Sequence, residues 1–522
     1  MESAERDVGG VAYLDQPTPS AMRVPASGFS YGQSIKPTMM SCKTMQREIN
    51  PMSVTGYTGT DSTSTQTLTF DLLSGQGSST VGIEGKDLRL KGSLYLQSNT
   101  SVDFFLENGY SSLIRDMSLI INGERETITQ YPKIRTFLDD MTCSQSYRSG
   151  LGSITEGLAY SDKAQLTLER PVGNITTVLI PSVGLTGDPV NATVAQTLSN
   201  IAVSMTGGIS GGFSTTGEPV INSDAGAFTT AYPFDFSLTH PALTTQEYFP
   251  IIGLKQAQLE LTFSPPSSHY IEKLAAPATE HVIEIKEQIL NLKMVVPYII
   301  QKENYQQLRD DILLKGIPRY IVPRFKTMEI PLSASITEFS QQLPFHVSSA
   351  RYLVMMIQKT ENLYTHYIRS YTQFNLSNIS EVWLESDGED IPSNHIFPLL
   401  SGSFPQIQEA IKLVTHTSDT TYDPRILPHL IGGATGKARY LENRDYIVID
   451  LSMINEDATR MISGRRLRGN ALLRFKCHSG GLSNASILTL FLCNDALLQR
   501  HPISGKDTIT FDDIFGVEKE FM

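Results

Sequence analysis

Ile114-Arg-Asp-Met-Ser-Leu-Ile-Ile-Asn-Gly-Glu124 decides the fold, because Ile379-Ser-Glu-Val-Trp-Leu-Glu-Ser-Asp-Gly-Glu389 repeats its plan. Ile114 aligns with Ile379, Met117 with Val382, Leu119 with Leu384, and Asn122-Gly-Glu with Asp387-Gly-Glu. Met117, Leu119 and Ile121 alternate, which is the period of a strand with one buried face. Each copy ends in Asn-Gly or Asp-Gly, dipeptides that accept the positive φ of a tight turn. Tyr131-Pro132 and Phe404-Pro405 then each open a helical pattern. Ile134, Phe137, Leu138 and Met141 fall at i, i+3, i+4 and i+7, and so do Ile407, Ala410, Ile411 and Val414. Each set puts one apolar stripe on one helix face. The loop between turn and helix is longer in the second copy, over 390–403.

A second matched pair lies further along. Phe234-Asp-Phe-Ser-Leu238 resembles Ile449-Asp-Leu-Ser-Met453, with Asp235 opposite Asp450. Each is followed by an alternating strand, Leu259-Glu-Leu-Thr-Phe263 and Leu473-Arg-Phe475. The same elements in the same order make two similar β domains in tandem, and repeats of this kind outrank any local signal.

The chain has 522 residues, 40% of them apolar and 18% charged. That length suits two or three domains with ample cores. Gly, Pro, Ser and Thr separate short apolar runs, which favours strands and turns over helical bundles. The formal charge is −12 with no dense Lys/Arg run, so the electrostatic footprint of a nucleic-acid binder is missing. Cys42, Cys143, Cys477 and Cys493 are far apart. Their spacing suggests neither a zinc site nor a disulfide framework, and buried free thiols are the simpler expectation. The first residues, Met1-Glu-Ser-Ala-Glu-Arg, lack the apolar core of a signal peptide. No run approaches the ~18 apolar residues of a membrane span.

Residues 1–65 have little apolar period and read as an extended N-terminal arm. The first fifty carry five basic and five acidic side chains, so this is not a basic, genome-neutralising tail. Residues 66–300 form the first domain, interrupted by a long Gly/Ser/Thr-rich excursion over 144–224 that holds one good strand at Ile175–Ile180. A helix with Tyr305, Leu308 and Ile312 on one face fills the linker, 301–318. The second domain runs over 319–500, with strands expected at Arg319–Val322, Thr327–Leu332, Tyr352–Ile357, Tyr446–Leu451 and Ile487–Leu492. The acidic C-terminal tail, 501–522, either docks on a neighbour or folds back on its own domain.

Glu107-Asn-Gly-Tyr-Ser-Ser-Leu-Ile-Arg-Asp-Met-Ser-Leu-Ile-Ile-Asn-Gly-Glu124 resembles a strand-turn segment of double jelly-roll major capsid proteins. Phe236-Ser-Leu, Tyr248-Phe-Pro-Ile-Ile-Gly253 and Leu259–Phe263 resemble another of their shared stretches. The likeness is greatest to the capsid proteins of virophages and Polinton-like double-stranded DNA viruses, and it spans about residues 66–500. It implies two tandem eight-stranded antiparallel jelly-roll sandwiches with short helices in loops. It further implies a homotrimer of six similar domains, with a near-hexagonal outline, that tiles an icosahedral shell. Implied partners are the chain itself, lateral trimers, and vertex (penton) and minor capsid proteins. The implied location is the virion, assembled inside the host cell, with no sequence-specific contact to nucleic acid.

No catalytic, cofactor-binding or metal-binding residue is expected. Gly208-Ile-Ser-Gly-Gly212 matches a nucleophile elbow, but Gly212-Phe-Ser-Thr-Thr-Gly-Glu-Pro219 cannot supply the helix that motif needs. Gly432-Gly-Ala-Thr-Gly-Lys-Ala438 fails the phosphate-loop spacing at Ile431 and at Ala438. Cys477-His478 has no partner ligands at metal spacing, and His240, His346, His366, His395 and His429 are scattered. Asp387, Glu389 and Asp390 could bind a cation, although a solvated turn is the simpler expectation. Trp383, the only tryptophan, suggests core or inter-domain packing. Two other functions fit a pair of β domains. A glycan-binding adhesion module would show an aromatic-lined pocket, and a minor capsid protein would ordinarily have a single jelly roll.

Overall fold

In the computed structural model, the described residues are, apart from short gaps, 43–142, 220–301, 320–360, 379–397, 446–452, 464–501 and 508–512, with 156, 305 and 306. The chain forms two sandwiches of eight principal strands each. In the first these are β1 (Lys43–Ile49), β2 (Thr67–Asp71), β3 (Arg89–Ser98), β4 (Ile114–Ile121), β5 (Glu124–Ile128), β6 (Tyr232–Ser237), β7 (Ala257–Phe263) and β8 (Lys286–Ile300). In the second they are β9 (Tyr320–Leu332), β10 (Glu338–Gln342), β11 (His346–Lys359), β12 (Ile379–Ser386), β13 (Glu389–Ile396), β14 (Ile447–Asp450), β15 (Leu472–Cys477) and β16 (Ser486–His501).

The two halves share one topology. In the first, one sheet runs β1-β8-β3-β6 and the facing sheet β2-β7-β4-β5. In the second, the orders are β9-β16-β11-β14 and β10-β15-β12-β13. Adding eight to each label converts one half into the other, and every one of these pairings is antiparallel. The sequence repeat therefore maps onto equivalent strands: β4 onto β12, β6 onto β14, β7 onto β15. The turns that end β4 and β12 are also equivalent. Asn122 and Gly123 have φ of 48° and 97°, and Asp387 and Gly388 have 53° and 82°, as the Asn-Gly and Asp-Gly signals require.

Binary pattern explains which faces meet. β7 alternates buried and half-buried residues throughout, so Leu259, Leu261 and Phe263 enter the first core. The strand β11 differs. Its Leu353, Met355 and Ile357 join the second core, whereas Tyr352, Val354 and Met356 join the cluster that fills the first half. β16 divides in the same way, with Leu488, Leu490 and Leu492 in the second core and Phe491 and Cys493 on the other side. The sheet β9-β16-β11-β14 is thus buried on both faces, which is why Tyr352-Leu-Val-Met-Met-Ile357 is continuously apolar instead of alternating.

Several boundaries differ from those read off the sequence. Lys43–Ile49 and Tyr57–Thr60, assigned to the arm, pair with β8 at Met294–Ile300 and Lys286–Ile289. Of the seven residues of β1 only Ile49 is buried, so this strand carries no apolar period to detect. Tyr320–Val322 and Thr327–Leu332 belong to one strand, β9, which tolerates Pro323 and Pro331 because it pairs on a single side, with β16. From the tail, Thr508–Asp512 pairs with Leu497–His501 of β16, which is the fold-back alternative for that segment. Residues 1–42, the Ile175–Ile180 strand, the helix over 407–414 and nearly all of the 301–318 linker lie outside the described residues. No helix among the described residues is long and apolar enough to cross a membrane.

Candidate functional site: the junction between the sandwiches

The helix α1 (Tyr131–Thr142) follows the first repeated turn, where the stripe was expected. Gln130, at φ 57°, ends the preceding loop, and its amide donates to Asp116 Oδ1 at 3.1 Å. Pro132 sits in the first turn, where its missing N–H costs nothing. The stripe residues Ile134 and Phe137 are buried. Phe137 reaches across to the second half: its ring lies 5.3 Å from Tyr446, edge to face, and 6.4 Å from Tyr352. α1 therefore covers the outer face of the sheet β9-β16-β11-β14.

Polar side chains lock the same junction. Lys133 is wholly buried and donates to Glu329 Oε1 of β9 at 3.1 Å and to Thr489 Oγ1 of β16 at 3.0 Å. Burial lowers the Lys133 pKa, and the charge of Glu329 opposes that shift. Arg324 of β9 donates to Glu126 Oε1 of β5 at 2.9 Å. Burial raises the Glu126 pKa against the pull of Arg324. On the flank of α1, Arg135 bridges Asp139 at 2.8 Å and Glu156 at 3.0 Å, and Glu156 also accepts from Ser237 Oγ at 2.7 Å. Glu156 is thereby a fixed point of the long excursion on the first sandwich. These groups hold two domains in one orientation; they do not aim a nucleophile and a base at a common point.

The acidic turn of the second half is already engaged. Asp387 Oδ1 accepts from Asn470 at 3.2 Å, Glu389 pairs with Arg465 at 3.2 Å, and Asp390 with His395 at 3.2 Å. Glu389, Asp390, Ile391, Pro392, Ser393 and Arg465 line an open cleft of about 600 Å³. Among the described residues no three His, Cys, Asp or Glu side chains are placed to hold a metal ion.

Trp383 is buried, but outside the second core cluster. Val382 and Leu384 enter the second core and Trp383 does not, because alternation along β12 sends it to the outer face. There it stays 8% exposed by stacking on His395, with ring centroids 4.4 Å apart and planes within 2°, while Lys476 Nζ lies 5.1 Å over its ring. His395 also touches Glu381. Burial works against the charged imidazole, but the two carboxylates outweigh it and raise its pKa.

His240 is buried and His346 opens β11, while His366 and His429 lie outside the described residues, as do the segments 208–219 and 431–438. Cys477 and Cys493 are free thiols. Burial pushes Cys493 up to about 12 and raises Cys477. Cys42 and Cys143 are outside the described residues. Sequence reasoning found Phe137 through its helical stripe but missed Lys133, Glu329 and Thr489. A lysine next to an apolar stripe carries no local mark of being buried.

No protein-family model and no curated protein matches the chain. Solved structures do. The mavirus major capsid protein aligns over 90% of this chain and 90% of its own, at 11% identity and a TM-score of 0.47. The structure of the Sputnik virophage aligns over 88% and 90%, at 11% identity and 0.47. The Faustovirus major capsid protein aligns over 95% of this chain and 99% of its own, at 9% identity and a TM-score of 0.50. With sixteen principal strands among the described residues, in two like-ordered sandwiches, and that alignment running nearly end to end, the chain has the double jelly-roll fold of the Faustovirus major capsid protein.

Proposed function

We propose that the chain is the major coat subunit of an icosahedral double-stranded DNA virus, a structural protein and not an enzyme. It would act as a homotrimer whose six sandwiches present a near-hexagonal outline. The observation that carries this reading is the junction. It joins unlike surfaces of two like domains, the outer sheet face of the second sandwich and the α1 side of the first. A contact between unlike surfaces can be repeated between copies, and it closes into a ring when the rotation allows. Trimers would then meet laterally and at vertices, with minor coat proteins as further partners and the virion as the location. The arm and the long excursion would extend these contacts.

The test is the solution mass of the full chain across concentration and salt, followed by negative-stain imaging. A stable trimer with a near-hexagonal outline is expected. A chain that remains monomeric under conditions that assemble coat proteins would overturn the reading.

A further inference from the structure

We propose that His395 is a proton-operated clasp on the edge of the second sandwich: the charged ring holds a bulge of β13 against Trp383, and the neutral ring lets it go. β13 ends the sheet β10-β15-β12-β13 and pairs with β12 alone.

The bulge is visible in the register. Leu384 pairs with Ile391, and the next pair is Val382 with Ile396. Pro392, Ser393, Asn394 and His395 therefore stand opposite Trp383 alone, and this stretch of the ladder is broken. The fold does not require the break. In the first sandwich β5 pairs with β4 without interruption from Ile121–Glu124 to Met117–Ile128. Ser118, which aligns with Trp383 in the sequence repeat, meets Thr127 directly at 2.8 Å. In the second sandwich the broken ladder is bridged by one side chain. The His395 ring stacks on Trp383 at 4.4 Å, its Nδ1 meets Glu381 of β12, and its Nε2 lies 3.2 Å from Asp390 at the other end of the bulge. The His395 backbone is held at φ 32°, a region that residues other than glycine avoid. Local backbone preference thus favours release once the ring's contacts weaken.

The contacts depend on the proton. With both ring nitrogens protonated, His395 donates to both carboxylates, whereas the neutral ring has one donor and must turn a lone pair toward the other carboxylate. The surrounding charges favour the cation. Lys476 of β15 also donates to Glu381, through Oε2 at 2.9 Å, and its own charge is supported by Glu338 of β10. Arg474 pairs with Glu385 at 2.7 Å, and Arg465 with Glu389 at 3.2 Å. Glu381 and Asp390 against Lys476 leave one negative charge at the ring, which the imidazolium neutralises. Burial opposes that charge, and the bonds to Glu381 and Asp390 lift the ring's pKa above 6.5. The ring keeps 21% of its side-chain surface exposed, so solvent protons reach it. Its hold on the bulge is therefore complete below pH 6.5 and is lost as pH rises through the higher value of the folded chain.

The experiment follows the emission of Trp383, the only tryptophan, in the full chain, from about pH 5 to about 9. An imidazolium stacked on an indole quenches it, so the parent's emission should rise with pH, with a midpoint above 6.5. His395→Gln should show no such step, and Glu381→Gln should move the midpoint to lower pH. Hydrogen exchange over Glu389–Ile396 is measured on the same chains and expressed as protection relative to an unstructured peptide at each pH. Protection should fall about tenfold across the parent's midpoint and stay low at every pH in His395→Gln. Melting temperatures check that each variant folds, and Glu381→Gln decides the matter if His395→Gln does not. A parent midpoint at or below 6.5, a midpoint that Glu381→Gln leaves in place, or protection that stays constant while the emission changes overturns the clasp. Each of these results leaves the coat-subunit reading standing, because that reading is tested by solution mass.

Discussion

Replacing Phe137 with alanine tests whether the junction makes the two sandwiches one cooperative unit. The ring is 1% exposed and lies between Tyr446 and Tyr352, both from the second half. A buried Phe→Ala change costs about 3–5 kcal/mol. Two aromatic contacts of about 0.5–1.5 kcal/mol each fall within that loss. We expect about 4 kcal/mol, most of it taken from the coupling between halves and not from either core. Trp383, the only tryptophan, lies in β12, so its fluorescence follows the second sandwich alone, whereas circular dichroism follows both. In guanidinium the parent should give coincident curves by the two probes, the mark of one transition. In Phe137→Ala the curves should separate. Leu119→Ala, in the first core, should lower stability by a comparable amount through a different mechanism, within one half. A loss below about 1 kcal/mol for Phe137→Ala would refute the wedge. Coincident curves in that variant would also refute it.

Two further outcomes follow from buried polar groups. Lys133→Ala removes three buried methylenes, about 2 kcal/mol at 0.8 each, and leaves Thr489 short of a donor for about another 1–2 kcal/mol. Lys133→Met keeps the stem and removes a charge that burial already disfavours, so it should lose less than half as much in urea unfolding; equal losses would mean that the ion pair, and not packing, holds the junction. His240 is buried, and its Nδ1 accepts the Ala242 amide at 3.3 Å, which puts the neutral ring's proton on Nε2. Burial lowers its pKa from 6.5 to about 4. An unfolded chain takes up the proton below pH 6.5 while the folded ring refuses it until about 4, so stability present above pH 6.5 falls across that window. The fall amounts to about 3 kcal/mol, and His240→Gln should flatten that part of the melting-temperature profile against pH.

The sequence made the fold legible wherever one face was wet and the other dry. Leu259-Glu-Leu-Thr-Phe263 alternates because β7 has a core on one side only. The Asn-Gly and Asp-Gly turns were legible because few other residues accept φ near +50° to +100°. What stayed hidden was structure whose apolar pattern is set by something other than its own core. In β1 six of seven residues are not buried, so the strand exists through its hydrogen bonds to β8 and not through burial. Trp383 is buried outside the second core for a related reason. Core or inter-domain packing was the expectation, and its parity in β12, between Val382 and Leu384, puts it on the outer face under His395. Lys133 was invisible because its partners, Glu329 and Thr489, are 196 and 356 residues away in the chain.

The same logic accounts for how the two halves diverged. Equivalent sheet positions hold Tyr352 and Cys493 in the second half and Lys91 and Lys293 in the first. Tethering keeps the second half beside the first at high effective concentration, so its face is covered as soon as the chain folds and can be apolar without risk. The first half's face has no tethered cover among the described residues. An apolar surface of that extent on a newly folded chain would favour indiscriminate association. Ion pairs centred on Glu48 keep the face wet and soluble. The strand order preserved between the halves fixes where contact can occur. The substitution of charge for aromatic and thiol leaves the first half's face hydrated where the second half's is covered by Phe137.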